Sequence, residues 1–136
     1  MVKLVMGLSG SGKTKTLLRL VHEALETTSG SVVCIEKGNT LMYDIPHEVR
    51  LVHTQESGIC TNEMLMGFLL GLQAGNYDIT RIFIDDFDKI LNDSSDAAVE
   101  KLLDALHVCG ERDGIDFFLF ATGDPETASE GVRKYF

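Results

Sequence analysis

Eight residues near the amino terminus constrain this chain more than any other stretch: Gly7-Leu8-Ser9-Gly10-Ser11-Gly12-Lys13-Thr14. They follow a short apolar run from Lys3 to Met6. They precede a segment in which Leu17, Leu18, Val21, Ala24 and Leu25 recur at intervals of three and four. That pattern predicts strand, loop and helix in immediate succession, the helix ending at Thr27-Thr28-Ser29-Gly30. Gly7, Gly10 and Gly12 free the backbone for positive dihedrals and for close approach to a ligand. Successive N–H groups and the helix amino terminus then aim partial positive charge at one point, which is a cradle for phosphate. The spacing GxxxxGK[ST] arises by accident in roughly one random chain in two hundred of this length. Requiring a strand before it and a helix after it makes the accident rarer still.

Downstream, strand and helix patterns alternate. Ser31 to Glu36 reads as a buried strand, Lys37 to Glu48 as a loop with room for a turn of helix, and Val49 to Thr54 as an edge strand. Thr61 is placed to cap a helix from Asn62 to Ala74, with Gly75-Asn76 as a left-handed end. Its Met64, Leu65, Met66, Phe68, Leu69, Leu70 and Leu72 leave almost no polar face, so it packs in the core or against a partner subunit. The core is favoured, because methionine-rich helices are common fillers. Arg81 to Asp85 is an apolar strand running into acid. Asp93, Ser94 or Ser95 caps the next helix, whose inward stripe is Val99, Leu102, Leu103 and Leu106 and whose end is Gly110. Ile115 to Ala121 is the last strand, and Asp124-Pro125 opens a short terminal helix. This alternation predicts an α/β fold: one domain over residues 1–136, with a mainly parallel sheet of about five strands and helices on both faces.

Composition excludes several classes of function. Twelve Lys+Arg against 21 Asp+Glu give a net charge of −9, and the cations are scattered singly, so nucleic acid is not an expected partner. With 44% hydrophobic and 24% charged residues the chain has the balance of a folded globular protein. Cys34, Cys60 and Cys109 are widely spaced, without the pairing of a zinc site, which fits a reducing cytoplasmic setting. The longest apolar stretch, Met64 to Leu72, is about half of the roughly 20 residues needed to cross a bilayer. No signal peptide pattern is present, and no membrane insertion is expected.

With its flanking strand and helix, the segment from Gly7 to Thr14 resembles the phosphate loop of the P-loop NTPases. The resemblance implies that Gly7, Ser9, Gly10, Ser11, Gly12, Lys13, Thr14 and Lys15 bind ATP. Lys13 would reach the terminal phosphates and assist their transfer, and the Thr14 hydroxyl would ligate Mg2+. Ile82-Phe83-Ile84-Asp85-Asp86 looks like a Walker B segment, in which Asp85 holds the same magnesium. Asp86 stands where many hydrolysing relatives carry a glutamate, one methylene longer. Glu36 closes the strand after the first helix and is similar in placement to the catalytic glutamate of RecA-like ATPases. Both are candidates to polarise water for in-line attack, Glu36 ahead of Asp86. The competing reading of Glu36 is a solvated acid beside Lys37. Thr122 falls where P-loop ATPases often carry a polar sensor.

No [NT]KxD motif follows the acidic strand, which makes adenine the default base, and neither a lid insertion nor a zinc-binding lasso is present. The resemblance is therefore closer to the RecA-like branch than to the kinase and GTPase branch. Short bacterial P-loop proteins labelled after the twitching-motility ATPase are similar; only Gly7 to Thr14 and Asp85 carry over residue by residue. Arg133 and Lys134 suit favourable charges at a helix end better than an arginine finger. The expectation is a slow magnesium-dependent ATPase that needs a protein partner or a homo-oligomer. The alternatives are a non-hydrolytic module that senses ATP or ADP and a small-molecule kinase whose acceptor pocket the sequence does not locate.

Overall fold

The computed structural model describes residues 1–136. Five strands, β1 (Val2–Gly7), β2 (Ser31–Glu36), β3 (Arg50–His53), β4 (Ile79–Ile84) and β5 (Asp116–Thr122), form one sheet in the order β1-β5-β4-β2-β3. Every neighbouring pair is parallel. The helices are α1 (Lys13–Thr27), α2 (Thr54–Ser57), α3 (Asn62–Gly75), α4 (Phe87–Ile90), α5 (Asp96–Asp113) and α6 (Glu130–Arg133), with a 3-10 turn at Pro125–Thr127.

The inner strands β5, β4 and β2 are largely buried on both faces, whereas edge strand β3 is only half-buried, and strand residues alternate between two apolar clusters, as the two-residue period of a strand requires. On one face Val32, Cys34, Phe83 and Phe120 pack beneath Leu17, Val21 and Ala24 of α1, and beneath Leu41, Ile45 and Val49. Full burial of Leu17 and of Val21 contributes about 1.5–3 kcal/mol each. On the other face Leu4, Val33, Ile35, Ile82, Ile84, Phe117 and Leu119 meet Leu65 and Leu69 of α3 and Val99, Leu102, Leu103 and Leu106 of α5. The α5 stripe is the one that its periodicity predicts. One side of α3 is thus core, while Met64 (44% exposed) and Leu70 (41%) face outward.

The carboxyl-terminal segment closes the β1 edge. Leu4 N donates to Tyr135 O at 2.7 Å, and the Tyr135 hydroxyl donates to Asp104 of α5. Lys134 pairs with Asp104 at 3.1 Å, which helps to fasten this segment.

Strand ends shift by one or two residues, β3 stopping at His53 with Thr54 opening α2, and three helix ends differ from expectation. Helix α5 does not stop at Gly110 but runs to Asp113, ended by Gly114 at φ 70°. Gly110 is instead a packing residue, because a Cβ there would lie 2.8 Å from Ile115 O and 3.3 Å from the Phe117 ring. At the end of α3, Asn76 is extended, at φ −148°, and its Oδ1 accepts from Asp78 N to lead the chain into β4. The terminal helix is divided: Asp124 caps the Pro125 turn by accepting from Glu126 N, and α6 follows separately. The caps Thr61, accepting from Met64 N at 3.0 Å, and Ser95, accepting from Ala98 N at 3.4 Å, are as expected.

Candidate functional site

The candidate site lies at the carboxyl ends of the parallel strands, where an open α/β sheet offers a crevice to ligands. Gly7 ends β1 and the loop returns into α1 through two left-handed glycines, Gly10 (φ 80°) and Gly12 (φ 90°). Any L side chain at these two positions is strained. Gly7, expected to take a positive dihedral, does not, because β1 runs straight through it; a Cβ there would meet the Ser11 side chain, which would have to turn aside. Ser11 N donates to Leu8 O at 3.1 Å. The Lys13 ammonium curls back over the loop and donates to Gly7 O (3.1 Å) and Leu8 O (3.0 Å). Ser9, Ser11, Thr14 and Lys15 are exposed around it.

Register aligns the other polar groups. Gly7 pairs with Thr122, Ile84 with Ile35, and Glu36 with His53. Asp85 N donates to Ile35 O at 2.8 Å, which extends the ladder one residue beyond β4. Alternation puts Thr122, Glu36 and His53 on the α1 face of the sheet. The Cys34 thiol beneath them agrees: burial pushes it up first, and the charges of Asp85 and Glu36 push it further.

Asp85 is only 8% exposed and has no cationic partner within ion-pair distance. Burial and then the charge of Asp86 raise its carboxyl to about 6, with Glu36 adding less than the Asp86 backbone N–H takes away and Lys89 opposing weakly. An acid held at such a cost suits a site whose occupant is a cation. With the exposed hydroxyl of Thr14, the donor set is all oxygen, which fits magnesium. The glycine cradle and Lys13 likewise fit a polyphosphate.

The two candidate bases differ sharply. Asp86 adopts a left-handed backbone at φ 46° and pairs with Lys89 at 3.5 Å, which draws its carboxylate along α4. Glu36 is 2% exposed and not solvated. Its Oε1 accepts from Thr40 Oγ1 at 3.1 Å and Leu41 N at 3.2 Å. Its Oε2 is less engaged, with Leu41 N at 3.3 Å and His53 Nδ1 at 3.4 Å. Lys37 is exposed and makes no ion pair with it.

Three residues here were not singled out by sequence reasoning. Asp88 Oδ1 accepts from Thr122 N at 3.2 Å and pins α4 to the end of β5. Thr40 and His53 close around Glu36. Thr40 reaches Glu36 through the local turn after β2, whereas His53 becomes its neighbour only through the β2–β3 pairing and Asp88 meets Thr122 only because β4 and β5 are neighbours.

A parallel five-stranded α/β domain with a glycine-rich phosphate loop and an acid-ended central strand is a P-loop NTPase. A family model described as an AAA domain matches residues 2–127, and the chain belongs to that family. No curated protein matches the chain. No helix is long and apolar enough to cross a membrane.

Proposed function

We propose that residues 1–136 act as one nucleotide-binding domain that hydrolyses magnesium ATP slowly, with turnover dependent on a protein partner or on self-association. The observation that carries this reading is the alignment of the phosphate loop, Thr122 and the buried Asp85 along the ends of β1, β5 and β4. Gly7, Ser9, Gly10, Ser11, Gly12, Thr14 and Lys15 bind the phosphates. Lys13 leaves its carbonyl partners to neutralise charge on the transferring group. Thr14 and Asp85 would hold Mg2+, whose charge would offset that of the phosphates.

Glu36 is the favoured base, because its Oε2 retains acceptor capacity whereas Asp86 is drawn toward Lys89. The order β1-β5-β4, with Thr122 at the end of β5 beside Gly7, supports the reading as a RecA-like ATPase with Thr122 as its polar sensor. The free cysteines, Cys34 and Cys109 buried and Cys60 exposed, support the reading of a reducing, cytoplasmic setting. The dependence on a partner rests on the arginines. Arg19, Arg81 and Arg112 are engaged with Glu23, Asp116 and Asp113, Arg50 opens β3 at the end of the sheet away from the phosphate loop, and the remaining arginine, Arg133, is exposed on α6.

The test is phosphate release from magnesium ATP by wild type, Lys13→Ala and Asp85→Asn. Turnover lost in both variants supports the reading; turnover retained in Lys13→Ala removes it. The reading as a sensing module is favoured by the outward Met64 and Leu70 of α3, and it requires an assembly state that differs between ATP, ADP and no nucleotide.

A further inference from the structure

We propose that His53 is a positioning residue for Glu36, fixing the loop that orients its carboxylate at the nucleotide site. The inference rests on the reading of Glu36 as the base and adds a group outside the phosphate loop and the acidic strand.

His53 ends the edge strand β3, level with Glu36. Its Nδ1 lies 2.5 Å from Gly38 O and 3.4 Å from Glu36 Oε2. A carbonyl oxygen only accepts, so Nδ1 carries a proton and, in the neutral ring, Nε2 is bare. That one N–H faces both a main-chain carbonyl of the loop and the carboxylate that the loop surrounds.

A second tie lies two residues on, where Gln55 N donates to Lys37 O at 3.0 Å. Together these contacts fasten Lys37 and Gly38 to the end of β3 and the start of α2, and the chain then turns so that Thr40 and Leu41 donate to Glu36. Without His53 the Gly38 carbonyl loses its partner, and the loop loses one of its two anchors, the one on the edge strand. The carboxylate keeps Thr40 and Leu41, so the fold survives while the aim of Oε2 relaxes. Displacement of a reacting group by a fraction of an ångström is felt in the rate and not in ground-state binding.

Asparagine provides the discriminating variant, because its Nδ2 donates from nearly the same place as histidine Nδ1, whereas leucine keeps bulk without a donor. ATPase kinetics would be measured for wild type, His53→Leu, His53→Asn, Glu36→Gln and the double variant His53→Leu/Glu36→Gln. Thermal unfolding would be followed with and without magnesium ATP, and the His53 ring nitrogens of wild type would be observed by NMR. The expected result is a kcat lowered by about tenfold in His53→Leu at unchanged KM, largely restored in His53→Asn. His53→Leu should cost nothing further in the Glu36→Gln background, and the wild-type proton should be on Nδ1.

Equal losses from His53→Leu in both backgrounds, no gain from asparagine, or a proton on Nε2 overturns the assignment of His53 alone. If Glu36→Gln leaves kcat unchanged, or the wild type does not turn over, the reading of Glu36 as base falls and the role of His53 with it. Nucleotide-dependent stabilisation then shows separately that the binding site stands.

Discussion

Replacing the acid at the end of β4 is expected to strengthen the nucleotide-free fold while removing its function. Asp85 is nearly buried without a cationic partner, and its carboxyl is raised from 3.8 to about 6. The folded state therefore holds the Asp85 proton more tightly than the unfolded state does. Below about pH 4 both states are protonated and the group is neutral in its effect. As pH rises through 6 the folded protein must ionise a poorly solvated acid, and stability is lost over that window. The full shift corresponds to about 3 kcal/mol. Water at the mouth of the crevice screens part of it, leaving about 2 kcal/mol.

Asp85→Asn keeps the shape and drops the charge, so apo Asp85→Asn should exceed wild type by about 2 kcal/mol at pH 7.5, or roughly 6–10 °C in Tm. The advantage should shrink toward zero at pH 4. With magnesium ATP at a hundredfold excess over its dissociation constant, wild type gains about 2.7 kcal/mol, and the variant should lose the magnesium-dependent part of that gain. Urea unfolding at the two pH values, with and without ATP and magnesium, measures all of these quantities. An apo variant no more stable than wild type at pH 7.5, or an advantage equal at both pH values, would refute the electrostatic reasoning.

Other consequences follow from packing. Gly110→Ala is expected to cost about 1–3 kcal/mol through the clash with Ile115 O, whereas Gly67→Ala, which meets nothing within 4 Å, should add roughly 0.5–1 kcal/mol of helix stability. Chemical denaturation of the pair checks both signs. Thr61→Ala removes the cap of α3 and should cost about 1 kcal/mol by the same measurement. A thiol reagent should modify Cys60 quickly and reach Cys34 and Cys109, which are buried, only after unfolding; fast reaction of Cys34 in the native protein would contradict the packing beneath the site.

Much of the architecture was legible because it rests on local rules. The phosphate loop announces itself through three glycines, two of them left-handed, and Ser31 to Glu36 and the α5 stripe follow from periodicity alone. What escaped depends on partners distant in sequence. Gly110 resembles a helix terminator until β5 is seen beneath it. Helices α2 and α4 are too short to show a period. Asp86 adopts a left-handed backbone that is uncommon for a non-glycine residue, and nothing in its neighbours predicts the turn toward Lys89. The environment of Glu36 was open for a related reason. Whether an acid at a strand mouth is solvated or enclosed is decided by the next strand, and only the β2–β3 pairing supplies His53.

The most direct test of the central claim is phosphate release from magnesium ATP over a range of protein concentrations, with Lys13→Ala as the blank. The account predicts slow turnover that vanishes in Lys13→Ala, disappears without magnesium and rises more steeply than linearly with protein concentration, or on addition of a partner. Release that persists in Lys13→Ala, or that proceeds without magnesium, would contradict it.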